Sequence, residues 1–121
     1  MSTFSRLSDI SPIPIWGGVL ARGVEGDRLT LAIVELAPGS LVPEHHHANE
    51  QLGIVLKGSL DFRIGTERRE LAVGDLYRIP GDVPHEVIAG PEGAVVVDVF
   101  SPVRADWAHL HPLAAARPTW P

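Results

Sequence analysis

The stretch that decides the fold is residues 39–58, which read GSLVPEHHHANEQLGIVLKG. It contains three consecutive histidines, and Gln51 follows four residues after the last of them. Successive side chains of an extended chain point to opposite faces, so His45, His47 and Gln51 share one face while His46 points to the other. Two imidazoles and a carboxamide on one face can converge on a single ion. A purely polar turn is the alternative interpretation of three histidines in a row.

Residues 80–85, which read PGDVPH, supply a fourth candidate ligand. Two prolines and a glycine predict a tight turn that passes His85 to the following strand in an extended conformation. If that strand pairs with the first stretch across the interior, His85 completes the set. Glu50 is the competing oxygen ligand because carboxylates bind metals well, but alternation places it on the face opposite to Gln51. The predicted metal ligands are His45, His47, Gln51 and His85.

The spacing within these two stretches resembles the two signatures of the cupin superfamily, whose members are also called RmlC-like cupins. The sequence departs from the signatures at Gln51, where glutamate is usual, and at Ala89, where asparagine is usual. The first departure changes the charge of the ligand set. The two stretches are Gly39-x5-His45-x-His47-x3-Gln51-x6-Gly58 and Gly74-x5-Pro80-x-Asp82-x2-His85.

This resemblance implies an all-β fold, a small antiparallel β-barrel of the double-stranded β-helix or jelly-roll type, with a metal inside. Residues 1–121 are expected to form a single cupin domain, with the barrel at about residues 15–107 and extensions at 1–14 and 108–121. Small cupins often dimerise through an end strand, so the resemblance also implies a homodimer.

Composition excludes several other classes of protein. Ten Lys and Arg against 15 Asp and Glu give a formal charge of −5 without any basic run, so a protein that binds nucleic acid through its phosphates is not expected. The absence of cysteine excludes disulfide scaffolds, zinc ribbons and thiol nucleophiles. Apolar runs fall far short of the roughly 20 residues that span a membrane, and the first nine residues do not resemble a signal peptide. We therefore expect a cytoplasmic protein without membrane contact.

Twelve glycines and 11 prolines are spread between short apolar runs, which predicts many short strands joined by turns. A short helical segment is expected within residues 103–113. The tail at 114–121 is expected to be poorly ordered unless the barrel wall holds it, and His109 and His111 are expected to be solvated. The predicted strands are 15–22, 29–36, 41–47, 51–56, 59–64, 69–72, 75–79, 85–89 and 94–100.

The last predicted strand contains an anomalous acid. Residues 94–100, AVVVDVF, are apolar except for Asp98. A buried carboxylate costs several kcal/mol unless it is paired or faces a wet cavity. Asp98 shares a face with Val96 and Phe100, and we expect this face to line a cavity. A solvent-facing side of the sheet is the alternative.

Asp98-x-Phe100 followed by Arg104 resembles the end of the KdgF-like group of cupins, which open the cyclic form of an unsaturated uronate to a linear keto acid. The resemblance implies that Asp98, Phe100 and Arg104 are catalytic. Arg104 would grip a substrate carboxylate, Asp98 would move a proton, and Phe100 would wall the sugar ring. An ion pair of Arg104 with Asp106 or Asp98 is an equally good interpretation of the sequence.

The predicted function is a metal-dependent enzyme, an isomerase or ring-opening enzyme of uronate degradation, that acts on a small acidic carbohydrate or keto acid. Four neutral ligands leave the charge of a divalent cation uncompensated, which strengthens it as a Lewis acid. The ligand types admit Zn, Ni, Fe, Mn or Cu. A cupin dioxygenase that uses the same metal site and a non-catalytic binding module for a small molecule or a metal are the alternatives.

Overall fold

A computed structural model describes residues 3–121, and antiparallel β-strands make up most of this range. The predicted all-β fold is confirmed. Two 3₁₀-helices, Leu7–Asp9 and Ala105–His109, lie outside the strands, the second of them within the segment predicted to be helical. The strands are β1 (Ile13–Trp16), β2 (Val19–Glu25), β3 (Thr30–Leu36), β4 (Leu41–His45), β5 (Glu50–Ile64), β6 (Glu67–Leu71), β7 (Leu76–Ile79) and β8 (His85–Ser101).

The sheet is organised around the two longest strands, β5 with 15 residues and β8 with 17. They pair with each other along nearly their whole length, from Glu50 opposite Ser101 to Ile64 opposite His85. The order is β1-β2-β3-β8-β5-β6, with β4 added to β8 and β7 added to β5. This arrangement has the jelly-roll form that the sequence predicts. It brings β4, β5 and β8, which carry the candidate ligands, side by side.

Two predicted turns do not interrupt the sheet. The pairs 51–56 with 59–64, and 85–89 with 94–100, were expected to be separate strands, but each pair is one continuous strand. Residues 90–93 lie opposite the single residue Ser59, so the chain bulges there without reversing. Glycine is required because a Cβ on Gly58 would lie 2.0 Å from the carbonyl oxygen of Gly93. Gly58 was expected to mark a turn, but it marks a close approach of two strands.

The opposite error occurs near the amino terminus. Residues 15–22, predicted as one strand, form parts of β1 and β2, which are separated by a turn at Gly17 and Gly18. Gly18 has φ +78°, in the left-handed region that favours glycine. Two adjacent glycines therefore end a strand here, whereas Gly53 and Gly58 lie within β5.

The hydrophobic core lies between the inner faces of the strands. Alternation along β3 shows how it forms, because Ala32, Val34 and Leu36 point inward while Glu35 points outward. At one end of this core, polar side chains replace apolar ones. The largest fully buried side chains are Phe100, Leu60, Ile79, Val19 and Val55, together with Pro12.

The carboxyl-terminal tail lies against the outer face of the sheet. Residues 113–119, here called the strap, begin where the Leu113 amide donates a hydrogen bond to the Pro12 carbonyl at 2.8 Å. Arg22 and Glu35 form an ion pair beneath the strap, and Arg22 also donates to the Ala116 carbonyl at 3.1 Å. The Glu35 carboxylate accepts from the amide and the hydroxyl of Thr119 at 2.8 and 2.7 Å. The barrel wall thus holds the tail, and Glu35 lies outside the pocket.

None of the helices in residues 3–121 has the length and apolar character needed to cross a membrane.

Candidate metal centre and pocket

Three histidines meet at the polar end of the core. His45 ends β4, His47 follows in the next loop, and His85 begins β8 directly opposite His45. One ring nitrogen from each lies within 4.8 Å of those of the other two. The alternation argument predicted that His45 and His47 would face the same way. The turn at residues 80–85 adds His85 from across the sheet.

Hydrogen bonds fix the tautomer of all three rings. Each Nδ1 lies 2.8–3.0 Å from a backbone carbonyl oxygen, that of Pro43, Asn49 or Val83. A carbonyl oxygen only accepts, so each Nδ1 carries the hydrogen and each Nε2 keeps its lone pair. Burial lowers the pKa of His85 to about 4 and also lowers the pKa of His47. At neutral pH the rings of His47 and His85 are therefore in the form that binds metal.

Gln51 adds an oxygen to this cluster. Its Oε1 lies 3.1 Å from His47 Nε2. Because the hydrogen of the His47 ring is on Nδ1, two lone pairs face each other at this contact, and a cation bound to both atoms would relieve it. Glu50, the competing ligand, is exposed, whereas Gln51 is buried. Three neutral nitrogens and an amide oxygen fit a divalent transition-metal ion.

Asp98 faces the pocket and not solvent. It is buried, accepts a hydrogen bond from the Tyr77 hydroxyl, and is also hydrogen-bonded by the Gln51 side chain. Burial raises the pKa of Asp98 to about 6, although Tyr77, Gln51 and the positive charge of Arg104 oppose the shift. A carboxyl group with this pKa exchanges its proton readily near neutral pH.

Tyr77 has a role at the site that the sequence analysis missed. It pairs with Gly53 across β7 and β5, and Gly53 pairs with Asp98 across β5 and β8. Because Gly53 has no side chain, the Tyr77 ring lies across it and reaches Asp98. A Cβ on Gly53 would lie 2.1 Å from Tyr77 Cζ. A glycine inside a strand is a signal of such a close approach, but the sequence alone does not say what approaches.

Asn49 is a second residue that was missed. Its side chain donates hydrogen bonds to the carbonyl oxygens of Pro102 and Val103, while its own carbonyl accepts from His47 Nδ1. It therefore ties the candidate ligand His47 to the segment that carries Arg104. Nothing in the composition of the loop indicated this buried amide.

Arg104 lies in the pocket wall and pairs with Asp106. The Nε and Nη2 atoms of Arg104 donate to the two carboxylate oxygens at 3.0 and 2.9 Å. The guanidinium carbon also lies 4.6 Å from the Phe100 ring centre and 4.5 Å from that of Trp107. Of the alternatives left open by the sequence, the ion pair with Asp106 is present. It uses two of the five N–H groups of the guanidinium and leaves three.

These groups surround a cavity of about 70 Å³. That volume is well below the roughly 300 Å³ of ordinary small-molecule pockets, so the cavity admits only part of a ligand. Trp16, with its ring centre 5.4 Å from that of His45, extends the wall beside the cluster. The polar and aromatic lining residues are His45, Gln51, Phe62, Tyr77, His85, Asp98, Phe100, Arg104 and Trp107.

The other three histidines do not join the cluster. His46 points away from it, and its Nδ1 lies 3.7 Å from the Asp82 carboxylate at the surface. His109 and His111 are exposed, and His109 ends the second 3₁₀-helix.

Comparison with known proteins gives the family. The chain is 37% identical over 82 residues, 67% of its length and 74% of the relative's, to the pectin degradation protein KdgF of Dickeya dadantii. The structure of KdgF from Halomonas sp. superposes with a TM-score of 0.79 at 25% identity, covering 88% of this chain and 98% of that one. An RmlC-like cupin from Shewanella frigidimarina gives a TM-score of 0.82 at 24% identity, over 88% and 96% of the two chains. The model of the cupin domain matches residues 32–100, and the chain belongs to the cupin family.

Proposed function

We propose that this cupin is a metal-dependent enzyme that opens the ring of, or isomerises, a small uronic or keto acid. The observation that carries the proposal is the buried Asp98 carboxyl, which lies in the wall of the histidine pocket and is hydrogen-bonded to Gln51. The 37% identity to a protein named for pectin degradation supports an acidic, sugar-derived substrate. His45, His47, Gln51 and His85 would hold the cation.

A bound divalent cation would polarise a carbonyl or hydroxyl oxygen of the substrate, and the neutral ligands would leave its charge undiminished. Arg104 would bind the substrate carboxylate through the N–H groups that Asp106 leaves free. Phe100 and Trp107 keep the guanidinium in place through cation–π contacts. The reacting end of the substrate would enter the small cavity, and its remainder would lie at the mouth.

Asp98 would carry the proton in such a reaction. In the opening of a cyclic hemiacetal, the ring C–O bond breaks and the anomeric hydroxyl loses its proton to the carboxylate. When the released ring oxygen belongs to an enol, the same proton returns to the enol carbon and a ketone forms. The composition of the substrate does not change. A pKa of about 6 lets Asp98 act first as base and then as acid.

The test uses chelator-treated protein reloaded separately with Mn²⁺, Fe²⁺, Ni²⁺, Zn²⁺ or Cu²⁺. Substrates are the unsaturated uronates released by lyase digestion of pectin or alginate, together with a panel of small keto acids. Loss of the ultraviolet absorbance of the conjugated double bond reports turnover, and NMR identifies the product. We expect turnover by the metal-loaded protein and none by the metal-free protein. Consumption of oxygen would indicate the dioxygenase, and a ligand bound but returned unaltered would indicate the binding module.

Two variants assign the roles within the pocket. Asp98→Asn should abolish turnover and keep the metal content, because asparagine retains an acceptor oxygen but cannot carry the proton. Arg104→Lys should raise KM more than it lowers kcat, because lysine cannot bind a carboxylate through two parallel hydrogen bonds. Arg78→Lys, on the exposed side of β7, is the matched control and should change neither constant. Full activity of Asp98→Asn would contradict the proposal. The homodimer and the cytoplasmic location stay predictions.

A further inference from the structure

We infer that Asp98 sets the orientation of the Gln51 amide and thereby makes residue 51 an oxygen ligand. This inference rests on the metal site of the proposed function. It gives Asp98 a positioning role toward the cation that is separate from proton transfer. It also explains why glutamine stands where the cupin signature usually has glutamate.

The sheet places the two side chains side by side. Gln51 pairs with Phe100 and Gly53 pairs with Asp98, so Gln51 and Asp98 are diagonal neighbours on the inner face of β5 and β8. Long side chains at diagonal positions reach each other. Gly53 leaves the space between them open, and Tyr77 fills part of it. Both Gln51 and Asp98 are buried, so water cannot replace a missing hydrogen bond.

An amide has two different ends, and its surroundings decide which way it turns. Here the Gln51 side chain is hydrogen-bonded to Asp98, and its Oε1 faces His47 Nε2 at 3.1 Å. A carboxylate accepts only, so the amide must present its NH₂ group to Asp98. The reverse orientation would gain a hydrogen bond to His47 but would set the amide oxygen against the carboxylate. A hydrogen bond to an ionised group is about twice as strong as a neutral one. The orientation with the NH₂ group toward Asp98 and the oxygen toward His47 is therefore the more stable one.

Tyr77 strengthens this choice. Its hydroxyl donates to Asp98 Oδ1 and anchors the carboxylate on the wall of the pocket. Asp98 therefore cannot turn away from Gln51 without losing a buried hydrogen bond. Tyr77, Asp98 and Gln51 form a chain of donors and acceptors that ends with a lone pair directed at the histidines.

The hydrogen bond between positions 51 and 98 requires one donor group and one acceptor group. Glutamine at 51 with aspartate at 98 has one donor between the two groups, and so does glutamate at 51 with asparagine at 98. Glutamate with aspartate can be joined only by a shared proton, and once both groups are ionised they repel each other without a hydrogen bond. Glutamate at position 51 should therefore be compatible with metal binding only when position 98 is changed to asparagine at the same time.

Metal titration of a double-mutant cycle tests this statement. Zn²⁺ or Ni²⁺ alone is titrated calorimetrically into the chelator-treated full chain of the parent, Asp98→Asn, Gln51→Glu and the double variant. We expect Asp98→Asn to bind within about threefold of the parent. Gln51→Glu should bind about 10- to 100-fold more weakly, the range typical when a ligand loses its hydrogen-bonding partner, because the new carboxylate at position 51 is repelled by Asp98. The double variant should recover to within about threefold of the parent without recovering turnover. Glu50→Gln, an exposed change of the same size next to the ligand, is the matched control and should leave affinity unchanged.

Each outcome decides the question. Undiminished binding by Gln51→Glu, or a double variant no better than Gln51→Glu, overturns the inference. If Gln51→Glu does not fold, Asp98→Leu replaces it in the test: weakening of about 10- to 100-fold supports the inference, and binding equal to the parent overturns it. A parent chain that binds neither ion overturns the proposed function together with the inference, whereas a binding parent without rescue overturns the inference alone.

Discussion

Replacing Gly53 by alanine tests the arrangement that brings Tyr77 to Asp98. The added methyl group would lie 2.1 Å from Tyr77 Cζ and 2.3 Å from its hydroxyl oxygen. The ring cannot retreat easily, because it is buried and packs against Phe62 with ring centres 4.7 Å apart. Overpacking of this kind costs about 1–3 kcal/mol, and loss of a hydrogen bond to a carboxylate adds about 1.5–3 kcal/mol. The expected loss of unfolding free energy is therefore about 2.5–6 kcal/mol.

Urea unfolding of the metal-free protein measures this loss as a lower midpoint at unchanged slope. Gly17→Ala is the matched control, because nothing lies within 4 Å of a Cβ added at Gly17 and its φ is outside the left-handed region. The control should change stability by less than about 0.5 kcal/mol. If Gly53→Ala costs no more than Gly17→Ala, the Tyr77 ring does not lie across β5, and the account of the pocket wall is wrong.

Two further predictions concern stability of the metal-free protein. Asp98 has a pKa of 3.8 as an isolated residue and about 6 in the fold, so it stabilises the protein below pH 4 and this contribution is lost as the pH rises through 6. At 1.36 kcal/mol per pKa unit, Asp98→Asn should gain about 3 kcal/mol relative to the parent between pH 3 and pH 7, measured by urea titration at each pH. Parallel curves for the two proteins would contradict the shift. The second prediction concerns the strap. Deletion of residues 114–121 uncovers the ion pair of Arg22 and Glu35 and removes the hydrogen bonds that these two side chains make to the strap. We expect a lower Tm in thermal unfolding, and an unchanged Tm would show that the strap contributes nothing.

The cluster of His45, His47 and His85 could be predicted from sequence in part, because local geometry contributes to its convergence. Alternation predicted that His45 and His47 face the same way, and the composition of residues 80–85 predicted a turn. The histidines do converge, although β4 ends at His45 and His47 lies in the loop that follows. Asp98 was identifiable for a different reason, since a carboxylate within an apolar strand requires a partner or a cavity. The position of His85 beside His45 depends in addition on the pairing of β8 with β4, which the local pattern does not fix.

Tyr77 could not be assigned in this way. Its role depends on the register of β7 with β5 and of β5 with β8, which sets Tyr77, Gly53 and Asp98 in one row across the sheet. Register of this kind is fixed by non-local pairing, which no local pattern reports. The strap was hidden for a similar reason, because a proline-rich tail has no periodicity and its partners Arg22 and Glu35 lie far away in sequence.

At Asp98, the property that suits proton transfer also lowers the stability of the fold. Removing the Asp98 carboxyl from water raises its pKa toward neutrality, which suits proton transfer, and the same desolvation disfavours the folded state at neutral pH. Tyr77 and Gln51 offset part of this cost with hydrogen bonds and hold the carboxyl in place. An apolar residue at 98 would remove the cost, but it would also release the Gln51 amide from its orientation. The residue that destabilises the metal-free fold is therefore the one to which we assign both the proposed proton transfer and the orientation of Gln51.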